Sequence, residues 1–151
     1  MPDHVSTRTA EPSDAAFAYS AREAAMREYE IAAWGHWNVD QAQSQVNEDI
    51  AAGRTKVIQL GHAPEHIDVG VMRVDLSPTH IHLDQLFLLP QYQSLGIGTY
   101  LLRALQQEAR SKSLQLTLWV LRVNPALRFY ELLGFQVIQE TAASLRLQSA
   151  A

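Results

Sequence analysis

The chain has 151 residues, and its 12 basic and 16 acidic residues give a formal net charge of −4, which does not favour broad binding to nucleic acid or to membrane surfaces. It contains no cysteine, which excludes a disulfide framework, a thiolate nucleophile and a thiolate zinc site. The N-terminus lacks the apolar core of a signal peptide and no apolar run is long enough to span a membrane, so we expect a single cytoplasmic domain over residues 1–151.

The N-terminal third predicts a short strand and two helices. Residues 5–8 alternate as a strand does. Ser13 is expected to cap a helix that reaches Trp34 and ends at Gly35, a residue type that commonly follows a helix. Asn38 is expected to cap a second helix, which ends at Gly53.

Three strands are predicted next, over residues 56–60, 67–76 and 80–88. The short turns between them indicate an antiparallel meander. Gly70 lies inside the second of these strands, which indicates a bulge or a close neighbour.

The stretch 86–102 passes from an apolar run, through a loop with two glycines, into helical spacing. A strand, glycine loop and helix in this order direct several unpaired N–H groups and the positive end of the helix dipole at one point, which suits a phosphate. A P-loop is excluded because Gly98 is followed by Thr99 and Tyr100 rather than by lysine and a hydroxyl residue. A Rossmann fingerprint is excluded because Leu101 occupies the position of its third small residue.

The C-terminal third completes a βαβ unit, whose two strands must be parallel. A strand begins at Gln115, a short helix is capped by Asn124 and ends at Gly134, and residues 136–141 and 145–147 predict a closing hairpin. The predicted fold class is α/β: a mixed, largely antiparallel sheet with one parallel βαβ unit, splayed at the phosphate loop, and helices on both faces.

The pattern Gln93-x-x-Gly96-x-Gly98 resembles the Q/R-x-x-G-x-G/A motif of the GNAT superfamily of acyl-CoA-dependent N-acyltransferases. A second match lies downstream, where that superfamily has a strand, Asn, Ala, an aromatic pair ending in Tyr, and Gly-Phe. The matching residues here are Asn124, Ala126, Phe129, Tyr130, Gly134 and Phe135. Both matches occur in the same order as in the superfamily, and the resemblance covers roughly residues 55–147.

This resemblance implies that acetyl-CoA is bound mainly by main-chain amides. The residues implied to hold its pyrophosphate are Gln93, Ser94, Leu95, Gly96, Ile97, Gly98 and Thr99, and those beside the pantetheine arm are Leu86 and Leu88. Leu95 departs from the pattern, because the family often has a basic residue there. Asn124 is either a cofactor contact or only a helix cap.

The resemblance also implies catalytic roles. The family tyrosine that matches Tyr130 protonates the departing thiolate, and a phenol is mostly protonated at neutral pH. His82 and Asp84 alternate on one strand face and match positions proposed to relay a proton in one branch, which has histidine at both. The alternative for Tyr130 is a tyrosine that only packs in the core, and the alternative for His82 is a solvent-facing strand residue. A metal site at His80, His82 and Asp84 is disfavoured, because such pairs do not specify a geometry.

The implied function is transfer of an acetyl or other short acyl group to a primary amine by direct attack. Trp34, Trp37 and Glu28 are candidate acceptor contacts, although large aromatics there are equally consistent with a core and charges with a solvated face. The acceptor is expected to be a small molecule or a peptide. The sequence leaves open whether the protein forms a homodimer. The alternatives are a non-catalytic acyl-CoA sensor and an acetyltransferase acting on protein N-termini or lysines.

Overall fold

A computed structural model of the protein describes residues 4–150, in which seven strands form one mixed sheet. The order across the sheet is β1-β2-β3-β4-β5-β7-β6, and every neighbouring pair is antiparallel except β4 and β5. The strands are β1 (Val5–Thr9), β2 (Lys56–Leu60), β3 (Ile67–Leu76), β4 (His80–Leu88), β5 (Gln115–Leu121), β6 (Phe135–Glu140) and β7 (Ser144–Ser149).

Four helices in the described part of the chain cover the two faces of this sheet. They are α1 (Ala15–Trp34), α2 (Val39–Ala51), α3 (Ile97–Lys112) and α4 (Ala126–Leu132). On one face α1 and α2 bury Ala21 and Val46 against Val71 and Phe87 of the strands. On the other face α3 and α4 cover a larger apolar cluster. None of these helices is both long and apolar enough to cross a membrane.

The predicted elements are confirmed to within one or two residues at most boundaries. Gly35 follows α1 in the left-handed conformation, with φ of 82°, and Asn38 Oδ1 accepts the Gln41 N–H of α2 at 2.9 Å. The prediction that Ser13 caps α1 is wrong. The chain instead makes a short 3-10 turn there, in which the carboxylate of Asp14 accepts the Glu11 N–H at 2.8 Å.

The parallel pairing of β4 with β5 stops halfway along β4. It runs from the His80–Gln115 pair to the Leu83–Leu118 pair and no further. On its other side, the register of β4 with β3 shifts between Val74, opposite Leu83, and Arg73, opposite Gln85, which leaves Asp84 as an extra bulge residue. Residues 84–88 therefore have a side that faces away from β3 with no partner in β5.

The predicted close neighbour of Gly70 is confirmed. A Cβ atom at this position would collide with the Phe87 carbonyl oxygen and lie 2.9 Å from the Leu88 side chain. Only glycine permits this approach of β3 to the end of β4, which is the half of β4 that β5 does not cover.

A buried carboxylate ties α2 to the bulged region of the sheet. Asp49 is only 1% exposed and accepts hydrogen bonds from Arg73 Nη1 of β3 at 3.2 Å and Gln85 Nε2 of β4 at 3.3 Å. Gln45 donates to the same carboxylate at 3.0 Å, and Arg54 at 3.4 Å. With several donors the desolvated charge is compensated, and these donors would be left unpaired without it.

We expect Asp49→Ala to lower the free energy of unfolding by about 3 kcal/mol, because it leaves the half-buried Arg73 guanidinium without one of its anionic partners. Urea denaturation followed by circular dichroism measures this change. Asp40→Ala, which removes an exposed carboxylate from the first turn of the same helix, should cost less than about 1 kcal/mol. Equal losses in both variants would show that the Asp49 network contributes little.

Candidate functional site

The N-terminus of α3 presents a row of unpaired main-chain donors. The first hydrogen bond of this helix is from Tyr100 N to Gly96 O, and the N–H groups of residues 94–99 have no acceptor within residues 4–150. Ser94 and Gly96 both have positive φ, 62° and 86°, and such turns are typical of loops whose successive N–H groups form an anion-binding hollow. The first turn of α3 carries no acidic residue, so nothing there opposes binding of an anion.

Two contacts hold this loop in place. Gln93 Nε2 donates to the carbonyl oxygen of Leu88 at 3.0 Å, which fastens the loop to the end of β4. Gly98 lies against α4, since a Cβ there would be 3.4 Å from Phe129 Cζ. Gln93 therefore acts as a tether, and the small size of Gly98 lets α4 pack beside the start of α3.

The open side of β4 leads to the same loop. Leu86 and Leu88 lie beyond the last residue that pairs with β5, and their side chains pack on the larger apolar cluster. Their strand therefore offers main-chain hydrogen-bonding groups to an extended ligand lying where β5 would otherwise be. The predicted loop and strand residues are thus brought together at one corner of the sheet.

Tyr130 extends from α4 among aromatic side chains. Its ring centre lies 5.4 Å from that of Phe129 and 5.7 Å from that of Phe135. Burial raises the pKa of its hydroxyl to about 12, because the phenolate would lose solvation. Within the described residues the hydroxyl makes no hydrogen bond, and the phenol stays protonated at any physiological pH.

His82 lies half-buried in β4, close to the bulge. Its Nδ1 is 2.9 Å from Thr117 Oγ1 of β5. Burial lowers the pKa of His82, the carboxylate of Asp84 opposes that shift, and the charge of Arg146 adds to it. Asp84 is itself 3.7 Å from Arg73, so its carboxylate is close to a cation as well as acting on the imidazole through its charge. The lowered pKa of His82 favours the neutral imidazole, which is the form that can accept a proton.

Two of the three predicted acceptor contacts line a cavity of about 270 Å³ between α1 and α2. Trp34 is half-exposed, whereas Trp37 donates from Nε1 to the Tyr19 hydroxyl at 3.1 Å and is held in place. Glu28 is exposed and does not line this cavity, but Glu30 does. The side chains lining it are Arg22, Glu30, Trp34, His36, Trp37, Asn38, Gln41, Ala42 and Gln45.

Asn124 serves as a helix cap. Its Oδ1 accepts the Ala126 N–H at 2.9 Å, and its own carbonyl accepts the Leu127 N–H at 3.2 Å. The side-chain oxygen is therefore occupied by α4, which favours the capping alternative over a cofactor contact.

Trp119 and Arg146 were not singled out from the sequence, although Trp119 lies on the strand that pairs with β4 and the charge of Arg146 acts on His82. They are opposite each other on β5 and β7, and no local motif marks either one. The missing information was the strand order, because β7 inserts between β5 and β6 rather than adding to the outer edge. Only that insertion brings Arg146 next to the strand that faces β4.

A family model and a set of solved structures both resemble this chain. The family model described as an acetyltransferase (GNAT) domain matches residues 57–137, more than half of the chain. No curated protein matches the chain by sequence. The predicted fold class is confirmed by solved structures, which at these identities establish the fold alone.

Three of these structures illustrate the likeness. A GCN5-related N-acetyltransferase from Rhodopseudomonas palustris is 20% identical with a TM-score of 0.70, over 100% of this chain and 98% of that one. PaiA N-acetyltransferase from Thermoplasma acidophilum was solved in complex with coenzyme A. It is 16% identical with a TM-score of 0.64, over 98% of this chain and 99% of that one. An acetyltransferase from Thermus thermophilus is 16% identical with a TM-score of 0.68, over 95% of each chain.

We expect Asp84→Asn to lower the pKa of His82 further, because the variant removes the negative charge that favours the imidazolium. Titration of the imidazole signals by NMR measures this shift. Asp40→Asn removes an exposed carboxylate from α2 and should leave the His82 titration unchanged. A rise in the His82 pKa in the Asp84 variant, or no change, would contradict the arrangement described for this pair.

Proposed function

This chain belongs to the GNAT acetyltransferase family, and on that premise we propose that it transfers an acetyl group from acetyl-CoA to a primary amine by direct attack. The observation that carries the proposal is the row of unpaired amides at residues 94–99, next to the uncovered edge of β4. Main-chain donors of this kind suit a diphosphate followed by an extended, amide-containing arm, which is the chemistry of coenzyme A.

The chain's own residues fit this ligand despite the net charge of −4. The amides of residues 94–99 would hold the pyrophosphate, and the main chain near Leu86 and Leu88 would bond the pantetheine arm. Bound acetyl-CoA supplies an activated thioester. Because the chain has no cysteine, the acyl group would pass to the amine without a cysteinyl acyl-enzyme.

Leu95 offers a direct test of the pyrophosphate site. Its side chain is 54% exposed in the middle of the donor row, so a longer basic residue can be placed there without repacking the core. We expect Leu95→Arg to tighten coenzyme A binding about three- to tenfold in isothermal titration calorimetry at low salt, as one added charge-assisted hydrogen bond would. The gain should shrink as ionic strength rises.

Leu132→Arg is the matched control, because Leu132 is also exposed but lies at the end of α4. This variant changes the net charge equally and should bind coenzyme A as the parent chain does. An equal gain in both variants would indicate a general charge effect. No heat with coenzyme A in the parent chain would overturn the proposed function itself.

Tyr130 and His82 would move the two protons that the transfer requires. The amine must lose a proton before or during its attack on the thioester carbonyl, and neutral His82 would accept it directly or through water. As the carbon–sulfur bond breaks, the thiolate takes up a proton, which the hydroxyl of Tyr130 would donate. Support for these roles comes from the lowered pKa of His82 and the raised pKa of Tyr130, which keep one group as a base and the other as an acid.

We expect Tyr130→Phe to lower kcat about 10²- to 10³-fold at saturating acetyl-CoA, with little effect on coenzyme A affinity, because only the transferable proton is removed. Steady-state release of free thiol measures kcat, and calorimetry measures affinity. Tyr29→Phe, on α1, removes a hydroxyl that also makes no hydrogen bond within the described residues and should keep full turnover. A Tyr130→Phe protein with unchanged kcat would leave the tyrosine with a packing role only.

The cavity of about 270 Å³ between α1 and α2 has none of His82, Tyr130 or residues 94–99 in its lining. It therefore does not support placing the reacting amine of the acceptor beside Trp34 or Trp37.

A further inference from the structure

Arg146 is held on the face of an indole, in the strand next to the β6 edge of the sheet. It lies in β7 opposite Trp119 of β5 and Gln139 of β6, and its guanidinium carbon is 5.9 Å from the centre of the Trp119 ring. Stacking on an aromatic face restricts a guanidinium group without consuming its N–H donors. The cation is therefore oriented but not neutralised.

Arg146 has no anionic partner among residues 4–150. It takes part in no salt bridge there, and its buried Nε makes no hydrogen bond. Glu140, on the adjacent strand, is instead paired with Arg122 at 3.1 Å. A partly desolvated guanidinium with an unsatisfied donor is costly, so an anion from outside the chain would be bound favourably.

The location of Arg146 connects it to the proposed reaction. Trp119 follows Leu118, the last β5 residue that pairs with β4, so it lies where the two strands begin to separate. Trp119 and Thr117 alternate onto one face of β5, and Thr117 contacts His82. The charge of Arg146 is among the causes that lower the pKa of His82, so the guanidinium lies near enough to the imidazole to act on it through its charge.

We infer that the acceptor is an amino acid or a closely similar amine with a carboxylate near the amino group, and that Arg146 binds this carboxylate. The guanidinium fork matches a carboxylate with two parallel hydrogen bonds, and Trp119, 40% exposed, provides an apolar wall for the rest of the molecule. With its carboxylate on Arg146, the amino group of such an acceptor is directed toward His82. This inference rests on the proposed function and names its substrate class.

The test compares each common L-amino acid that has a primary α-amine and no thiol, thus leaving out proline and cysteine, with its own α-carboxamide as acceptor. Release of free thiol from acetyl-CoA is followed with a thiol reagent, which the cysteine-free chain does not consume. For the preferred amino acid, kcat/KM should exceed that of its amide at least tenfold. Because the α-amine of an amide is more acidic and more often unprotonated, a preference for the acid cannot arise from amine availability.

Arg146→Gln separates carboxylate binding from other effects. At a pH well above the His82 titration, it should raise KM for the preferred amino acid about 10- to 100-fold and change kcat/KM for the amide less than threefold. Arg146→Lys should recover part of the loss, since it keeps the charge without the fork. Arg122→Gln, which removes an arginine already paired with Glu140, should leave kcat/KM unchanged for both the amino acid and its amide.

A second readout is the pH profile of kcat/KM. Removing the Arg146 charge should move the acidic limb to higher pH, because the pKa of His82 rises when a neighbouring cation is lost. A guanidinium that only packs on Trp119, away from the imidazole, would not move this limb.

Several results would overturn the inference. These are equal use of acids and amides by the parent chain, equal losses on both substrates in Arg146→Gln, and acetylation of no amino acid by a chain that binds coenzyme A. Failure of the proposed function looks different, because calorimetry would then detect no coenzyme A binding at all. If Arg146→Gln does not fold, the comparison of acid with amide in the parent chain still decides the question.

Discussion

The separation of β4 from β5 is the constraint on which the rest of this structure depends. It follows from one extra residue, Asp84, because an inserted residue turns the strand and ends regular pairing. The alternation of side chains shows the same shift. Ile81 and Leu83 lie in the cluster under α3, and Phe87 would follow them there in a regular strand, yet it packs under α1. The bulge thus frees one side of β4 for a ligand without exposing its apolar side chains.

Arg73 and its carboxylate partners stabilise this irregular strand. Arg73 bonds Asp49 of α2 and Asp75 of its own strand, and it lies within ion-pair distance of Asp84. A bulge held only by apolar packing could slip by one residue, which would exchange the faces of the strand. The buried polar network disfavours that slip, because it would break the hydrogen bond from Gln85 to Asp49 and separate Asp84 from Arg73. Structural charge at the bulge therefore fixes the position of the functional residues.

Much of this fold could be predicted from the sequence, because its signals are local. Strand 80–88, the glycine loop and the following helix each follow from spacing, and Gly70 correctly indicated a close backbone approach. The cap of α1 could not be assigned, since both Ser13 and Asp14 are good capping residues, and the Asp14 carboxylate is instead bound by Arg8 and by the Glu11 N–H. The strand order was also inaccessible. No local sequence signal near Leu145 indicates that β7 lies between β5 and β6.

The main-chain and side-chain parts of the candidate site also differ in how well the sequence predicts them. Its main-chain part is encoded by a short glycine motif, whereas its side-chain part is assembled by pairing between distant strands. Asp84 and Arg146 have opposite effects on the pKa of His82. An ammonium group approaching the imidazole is attracted by Asp84, whereas Arg146 and burial disfavour the imidazolium that forms when its proton is transferred. A carboxylate on Arg146 would screen that cation, raise the pKa of His82 and so make the base stronger only when an acceptor of the right chemistry is bound.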